Sequence, residues 1–392
     1  MTLTQRIASI DITRALTMTL MIFVNDLWTL HDIPGWLGHT QPQEDGMGLA
    51  DTVFPAFLFI VGMSLPYAVA NRIRKGDNTW ALLRHALERG VALLVMGVVL
   101  VNGENLNESA TGLSRGVWNV IACTSFILIW NQYPENWPNV RKYVLKALGI
   151  AGLLLLVYVC RGGDGSQGFS KHWWGILGLI GWSYLVASVA YILGQGKFAV
   201  LLGAWAVCMA LNIAAHGGLI PGGHWLRAWL GPVGDGGLAA LVLGGAITSM
   251  IFRRFSAGTR SVSVIGWLTL IAAGLVAAGI LTRPYWGISK VMVTPSWVFI
   301  CSGITIAVFA LVYWIADLLG KADVFRVIRP AGTDTLLCYL LPYYAYALMG
   351  MLSIPMMFPL GGGAGLLKSL AFALIIVQIT GWISRRGIRL KL

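Results

Sequence analysis

Charge is scarce in this sequence. Of 392 residues only 11% are Asp, Glu, Lys or Arg and 57% are hydrophobic, whereas a soluble domain is about one-quarter charged. That shortage excludes a soluble globular protein and points to an integral membrane protein. Cysteine is also sparse. Cys123, Cys160, Cys208, Cys301 and Cys338 are odd in number, show no CxxC spacing and lie in or beside apolar runs, so they read as packed, reduced thiols. Metal-ligand spacing is missing: His216 and His224 flank a Gly/Pro loop without it, and no metal is expected. The GGG at 361–363 precedes no P-loop lysine and reads as a flexible outer loop. The first apolar segment has no small-residue cleavage site and contains Asp11, Arg14, Asn25 and Asp26, so it reads as a retained span. No internal repeat with matching broken helices is visible.

Long apolar runs are what the chain does have. They fall near 11–30, 49–70, 81–102, 115–132, 143–160, 175–194, 197–214, 236–253, 262–282, 295–318, 334–353 and 367–384. A helix of roughly 20 such residues crosses a hydrocarbon core of about 30 Å. The expected fold is therefore one all-α transmembrane bundle over residues 1–392, with about 10 to 12 spans. Gly and Ala crowd the spans between 197 and 282, which suits close helix packing.

Lys and Arg outnumber Asp and Glu by 28 to 16, a formal net charge of +12. The excess is unevenly spread. Arg6, Arg72, Arg74, Lys75, Arg141, Lys142, Lys197, Arg253, Arg254, Arg260, Lys321, Arg326, Arg329, Arg385, Arg386, Arg389 and Lys391 fall in segments on the side of the termini. The opposite loops hold few cations, chiefly Arg161, Lys171, Arg227, Arg283 and Lys290. By the positive-inside rule both termini are cytoplasmic and the 31–48 loop faces outward. The positive charge is a topology signal, so no nucleic-acid partner is expected.

Ionisable groups inside hydrocarbon cost several kcal/mol and usually face a cavity or a partner. In the first span Asp11, Arg14, Met18, Met21 and Asn25 follow three- and four-residue steps, placing Arg14 and Asn25 on nearly one face about 16 Å apart. Such a stripe suits the lining of a passage, and the plainer reading is that Asp11 and Arg14 anchor one end while Asn25 caps the other. Beyond it the loop supplies His31 and His39, and the second span opens with Asp51. A histidine beside a carboxylate can act as a general base, with Asp26 or Asp51 holding its tautomer, and Asn25 can donate to a developing oxyanion. Trp28, Trp36, Trp173, Trp174, Trp225, Trp286 and Trp297 suit either sugar stacking or an interfacial belt. Tyr339, Tyr343, Tyr344 and Tyr346 read as packing or interfacial side chains.

The segment SIDITRALTMTLMIFVND, a histidine-bearing loop and LADTVFPAFLFIVGMSLPYA together resemble the start of the heparan-α-glucosaminide N-acetyltransferase family of transmembrane acyltransferases. WGISKVMVTPSW and PAGTDTLLCYLLPY resemble later segments of that family. The resemblance implies transfer of an acetyl group from cytosolic acetyl-CoA to an amino sugar or glycan across a bacterial inner membrane. It assigns Arg14 to the S-x-D-x-x-R motif, Asn25 to F-V-N, His39 to the loop histidine and Asp51 to the acid before V-F-P, with Lys290, Thr294 and Ser296 as a lysine followed by hydroxyl residues. The family's His-x-x-Trp-x-Gly pattern is replaced here by His39-TQPQEDGMG, which keeps His31 as a rival base.

CoA is a polyanion, so Arg84, His85 and Arg89 in RHALER, Arg253 and Arg254, or Arg326 and Arg329 are candidate phosphate ligands, each also explicable as positive-inside anchoring. Direct transfer and an acetyl-histidine intermediate both fit. An amino-sugar transporter and an O-acetyltransferase of envelope polysaccharide are the alternative functions, and a homodimer is compatible with the sequence. The charge asymmetry makes a direct prediction. In intact cells a cysteine placed at Glu44 should react with an impermeant maleimide and one at Lys75 only after permeabilisation; the reverse labelling would invert the topology.

Overall fold

A computed structural model describes residues 8–255, 262–352 and 360–392; Arg6 and Arg260 of the basic side lie outside them. No strand occurs among the described residues, which hold only isolated bridges between loops. Each apolar run of the sequence corresponds to one helix. These are α1 (Ala8–Asp26), α2 (Leu49–Arg74), α3 (Thr79–Glu104), α4 (Arg115–Trp130), α5 (Asn139–Val159), α6 (Ile176–Leu193), α7 (Phe198–His216), α8 (Gly237–Phe255), α9 (Val262–Trp286), α10 (Pro295–Tyr313), α11 (Thr335–Met351) and α12 (Gly362–Arg385). Nine helical segments among the described residues are long and apolar enough to cross a membrane, with α4 and α11 shorter and apolar.

Local chemistry sets the boundaries. Asn78 caps α3 by accepting from Ala81 N, and Ser114 caps α4 by accepting from Val117 N. Between α6 and α7 the GQGK turn places Gln195 and Gly196 at φ 52° and 65°, left-handed backbone that ends α6. At the end of α10 the backbone widens into a π-turn over Trp314–Leu318, and buried Asp317 accepts from Ser9 N at 3.0 Å, pinning the start of α1.

Two expectations need correcting. The span at 11–30 ends as an α-helix at Asp26, four residues early, and continues as a 3-10 turn over Leu27–Thr29. The triple glycine at 361–363 is not a free loop: Gly361 caps α12, whose first residues are Gly362 and Gly363, and it bridges to His31 through His31 N to Leu360 O and Gly362 N to His31 O.

Glycine allows backbones to meet where no apolar driving force between helices exists in lipid. A Cβ on Gly62 of α2 would stand 1.8 Å from Val242 O of α8, and one on Gly245 of α8 would stand 1.8 Å from Phe59 O of α2. The two helices are thus locked at reciprocal points one turn apart. Gly97 of α3 meets the backbone of Gly178 in α6 in the same way, and Gly303 of α10 meets Ala272 O of α9. These seams exclude solvent from one side of α2 and leave its other side, with Phe57, Val61, Ser64, Leu65 and Ala68, facing a cavity.

Gly62→Ala should therefore lower the melting temperature of the purified protein markedly, because overpacking at a backbone contact costs about 1–3 kcal/mol or more. Gly266→Ala, where a Cβ would meet nothing within 4 Å, should leave it unchanged or slightly raised.

Candidate functional site

The loop between α1 and α2 folds onto the first turn of α2. Gly48 caps that helix, and its close approach to Gly38, whose carbonyl oxygen lies 2.0 Å from where a Cβ would stand, requires a residue without one. Asp51, in the first turn, is 1% exposed. Its Oδ2 accepts from Gly48 N at 3.1 Å, Thr40 N at 3.0 Å and Thr40 Oγ1 at 3.1 Å. The other oxygen, Oδ1, lies 2.6 Å from His39 Nδ1. A carboxylate at a helix N-terminus with this many donors stays ionised, so His39 Nδ1 carries the proton and donates it. His39 Nε2 is left as the basic nitrogen, on a side chain 49% exposed.

A second loop completes the cluster. Asp45 accepts from Arg283 Nε at 3.0 Å and Ile288 N at 2.7 Å, while Gly46 N donates to Ile288 O. Burial opposes the charge on Asp45, yet the Ile288 N–H and the Arg283 guanidinium hold its carboxyl below the usual range. Ser289 Oγ donates to Pro42 O, and Thr294 Oγ1 accepts from Ser289 N. This clamp presents Lys290, whose Nζ lies 3.3 Å from His39 Nδ1 and 3.9 Å from Asp51 Oδ1. Since His39 Nδ1 already donates to Asp51, the ammonium's electrostatic partner is the carboxylate. Burial lowers the Lys290 pKa, and Asp51 counters it.

Beneath these loops, Trp297 Nε1 donates to Asp51 O at 3.2 Å and is fully buried, so this tryptophan braces α2 and neither stacks on a ligand nor joins an interfacial belt. Ser296 is also fully buried and pairs with Thr282 Oγ1 at 3.1 Å between α9 and α10, away from the cluster. His31 pairs only with Asp32, itself 87% exposed, in contrast to the buried partner of His39. Asp26 does not reach His39: Tyr346 Oη, Ser369 Oγ and Lys368 Nζ surround its carboxylate at 2.7, 2.6 and 2.9 Å, joining α1 to α11 and α12.

The stripe on α1 lines two neighbouring cavities. A cavity of about 630 Å³ is bounded by Asp11, Arg14, Met18 and Met21 from α1, with Arg74, Arg89 and Lys391 as its further cations. Arg14 bonds Asp11, Gly332 O and Ser64 Oγ. Arg89 lies 4.8 Å over the Tyr184 ring, and its Nε is buried without a hydrogen-bond partner among the described residues. A second chamber of about 320 Å³ holds Asn25 with Glu104, Trp174 and Tyr343, and shares the wall residues Ile176, Leu177 and Tyr339 with the first. Asn25 and His39 are thus not brought together: neither His39 nor Asp51 lines either space.

Of the basic candidates, only Arg14 and Arg89 line the large cavity. Arg84 is exposed and pairs with Glu88 at 3.5 Å on its own helix, and His85 lies outside the lining. Arg253 lies 5.4 Å over Tyr67, while Arg254, Arg326 and Arg329 are exposed at the surface. Arg74 and Lys391 had been read only as topology signals. Arg74 ends α2, whereas Lys391 reaches the cavity because residues 390–392 fold back over it, which the sequence does not reveal: Lys391 N donates to Trp130 O and Gln132 N to Arg389 O. No group of three or more potential metal ligands occurs among the described residues.

Residues 6–125 match the family profile described as heparan-alpha-glucosaminide N-acetyltransferase, catalytic. Two curated relatives bear the name heparan-alpha-glucosaminide N-acetyltransferase. The one from Homo sapiens is 30% identical over 101 residues and the one from Mus musculus 31% identical over 101 residues. In both cases the match covers 25% of this chain and only 14% of the relative. The matched stretch contains Arg14, Asn25, His39 and Asp51, together with Arg89 and Glu104. Over residues 6–125 the chain is thus similar to the heparan-alpha-glucosaminide N-acetyltransferase family, and it spans only a small part of the length of the curated relatives it matches.

Proposed function

We propose that the protein is a membrane acetyltransferase that takes an acetyl group from acetyl-CoA on its basic side and delivers it to an amino-sugar acceptor at the opposite end. The observation that carries this reading is the pair of adjacent cavities along α1, one holding Arg14, Arg74, Arg89 and Lys391 and the other Asn25. Its larger part, about 630 Å³, falls within the roughly 300–1,000 Å³ typical of small-molecule sites. The donor set suits a polyanion, and the orphaned Arg89 Nε gives it an unsatisfied buried donor.

In this reading Arg74, Arg89 and Lys391 hold phosphates, and Met18 and Met21 line the path of the slender pantetheine arm. Asn25 directs its amide at the thioester carbonyl oxygen and stabilises the charge that develops there. His39 Nε2 takes the proton from the attacking acceptor, and Asp51 holds the ring in the tautomer that leaves this nitrogen basic and stabilises the imidazolium that forms. Lys290, beside both, limits how far that positive charge can persist. His39 lines neither cavity, so in this reading its proton transfer requires the 31–48 loop to bring Nε2 to the chamber once the acceptor is bound.

A transporter on the same passage would bind the sugar without CoA, and an O-acetyltransferase would bind CoA but act on hydroxyls. Calorimetric titration of the purified protein with CoA separates the first, and product analysis on amine and hydroxyl acceptors separates the second. Micromolar CoA binding and an N-acetylated product are expected.

His39→Ala should reduce acetyl transfer by about 10²-fold or more with CoA affinity retained, since a general base contributes about 10²–10⁴. His31→Ala should stay within a few-fold of wild type, and the opposite pattern would transfer the role to His31.

Arg89→Gln and Arg74→Gln should each weaken CoA binding by roughly 1.5–3 kcal/mol, the worth of a charge-assisted contact. Arg254→Gln and Arg326→Gln, at sites remote from the cavity, should leave it unchanged. Equal effects at all four positions would move the nucleotide off this cavity.

A further inference from the structure

The chamber around Asn25 contains one acidic side chain that the proposed chemistry leaves unused. Glu104 is the last residue of α3, where the helix dipole opposes a carboxylate. It is exposed to the chamber and has no ion pair or side-chain hydrogen bond among the described residues; Arg115 acts on it only electrostatically. The other polar edges are the Asn25 amide and the Tyr339 and Tyr343 hydroxyls, which lie 3.3 Å apart, and the Trp174 ring supplies an aromatic face. A carboxylate placed against the helix dipole and left without a cation is a group awaiting one.

We infer that this chamber is the acceptor subsite and that Glu104 selects a protonated amine, so that the enzyme favours amino sugars over neutral sugars. The inference rests on the acetyltransferase reading and deepens it by naming the acceptor's charge. An aminohexose carries both features the chamber answers: a cationic nitrogen for Glu104 and an apolar ring face for Trp174, with the hydrogen-bonded Tyr339–Tyr343 hydroxyl pair at the wall to meet a sugar hydroxyl. Volume agrees, since about 320 Å³ accommodates one sugar ring and not an extended chain. Bound as ammonium, the acceptor nitrogen first loses one proton to solvent to become nucleophilic; as its C–N bond forms and the thioester C–S bond breaks it loses a second, which His39 passes to the departing CoA thiolate, and the N-acetyl product is neutral. Glu104 therefore loses its charged partner on transfer, which favours release.

The test is direct binding by calorimetry to the full-length protein in detergent micelles, with glucosamine and glucose as probes. Wild type should bind glucosamine about tenfold or more tightly than glucose, the discrimination expected of one charge-assisted contact. Glu104→Gln should abolish the preference while CoA affinity and glucose affinity stay put, and Glu104→Asp should restore part of it. Equal affinity of wild type for the two sugars overturns the inference, whether or not the Gln variant folds. So does a preference that survives in a folded Glu104→Gln protein. The parent reading is judged separately: a Glu104-dependent preference without acetyl transfer defeats the acetyltransferase and leaves the subsite standing, whereas acetylation with no such preference does the reverse.

Discussion

The burial of Asp51 is the constraint on which the end of the molecule covered by the His39 loop depends. A carboxylate 1% exposed costs several kcal/mol unless it is compensated. Compensation comes from three directions at once: the Gly48 N–H of its own helix, Thr40 and His39 of the preceding loop, and Lys290 of the α9–α10 loop. None of these elements could be displaced without exposing or orphaning the charge. The loop that carries His39 is therefore held by the electrostatics of Asp51 and by the Asp45–Arg283 clamp. A histidine on an otherwise half-exposed loop thereby acquires a single tautomer and a defined basic nitrogen.

The second constraint is spatial. Polar groups of α1 can line a passage only if neighbouring helices stand away from them, and the space has to come from tighter packing elsewhere. Glycine seams supply it. Where α2 touches α8 through Gly62 and Gly245, and α3 touches α6 through Gly97 and Gly178, backbones lie in contact. The opposite face of α2 is then free to border the cavity beside Arg14 and Met18. Asp26 shows the alternative fate of a charge on the same helix: one residue past Asn25, it is enclosed by Tyr346, Lys368 and Ser369 and serves as a tie between α1 and the last two helices.

Much of this was legible in the sequence because membrane helices declare themselves through length and hydropathy. Every apolar run became a helix, and the α1 stripe lines two neighbouring cavities, Asp11, Arg14, Met18 and Met21 the larger and Asn25 the smaller. Periodicity on one helix is a local property, and it survives folding. What sequence could not supply was the partner of each polar group across helices. Asp26 and Asp51 look equivalent as acids beside the loop, and only the fold assigns one to α12 and the other to His39. Ser296 fits a lysine–hydroxyl pattern yet bonds Thr282, because its position in the first turn of α10 turns it toward α9. The six candidate arginines of the basic side are indistinguishable as charges. Arg89 is singled out by packing over Tyr184, Arg74 by its place at the end of α2 beside the cavity, and Lys391 by a tail that folds back from beyond α12.

The division of labour along the chain follows from the same geometry. Residues 6–125, the stretch that matches the acetyltransferase family, hold Arg14, Asn25, His39, Asp51, Arg89 and Glu104, the groups on which the proposed chemistry depends. Walls and supports come from elsewhere. Tyr184 on α6, Tyr339 and Tyr343 on α11, and the tail from Leu390 to Leu392 bound the cavities, and Lys290 reaches the His39 cluster from the α9–α10 loop. Four helices alone could not enclose this space, since α1 and α3 are separated along it by α6 and α11. In such an arrangement the reacting groups tolerate little change of geometry, because each distance to His39 or Asn25 matters to a transferring acetyl group. The walls need only keep water out and leave room. The matched stretch thus carries most of the groups assigned to the chemistry, Glu104 among them, while the rest of the chain builds much of the enclosure around them.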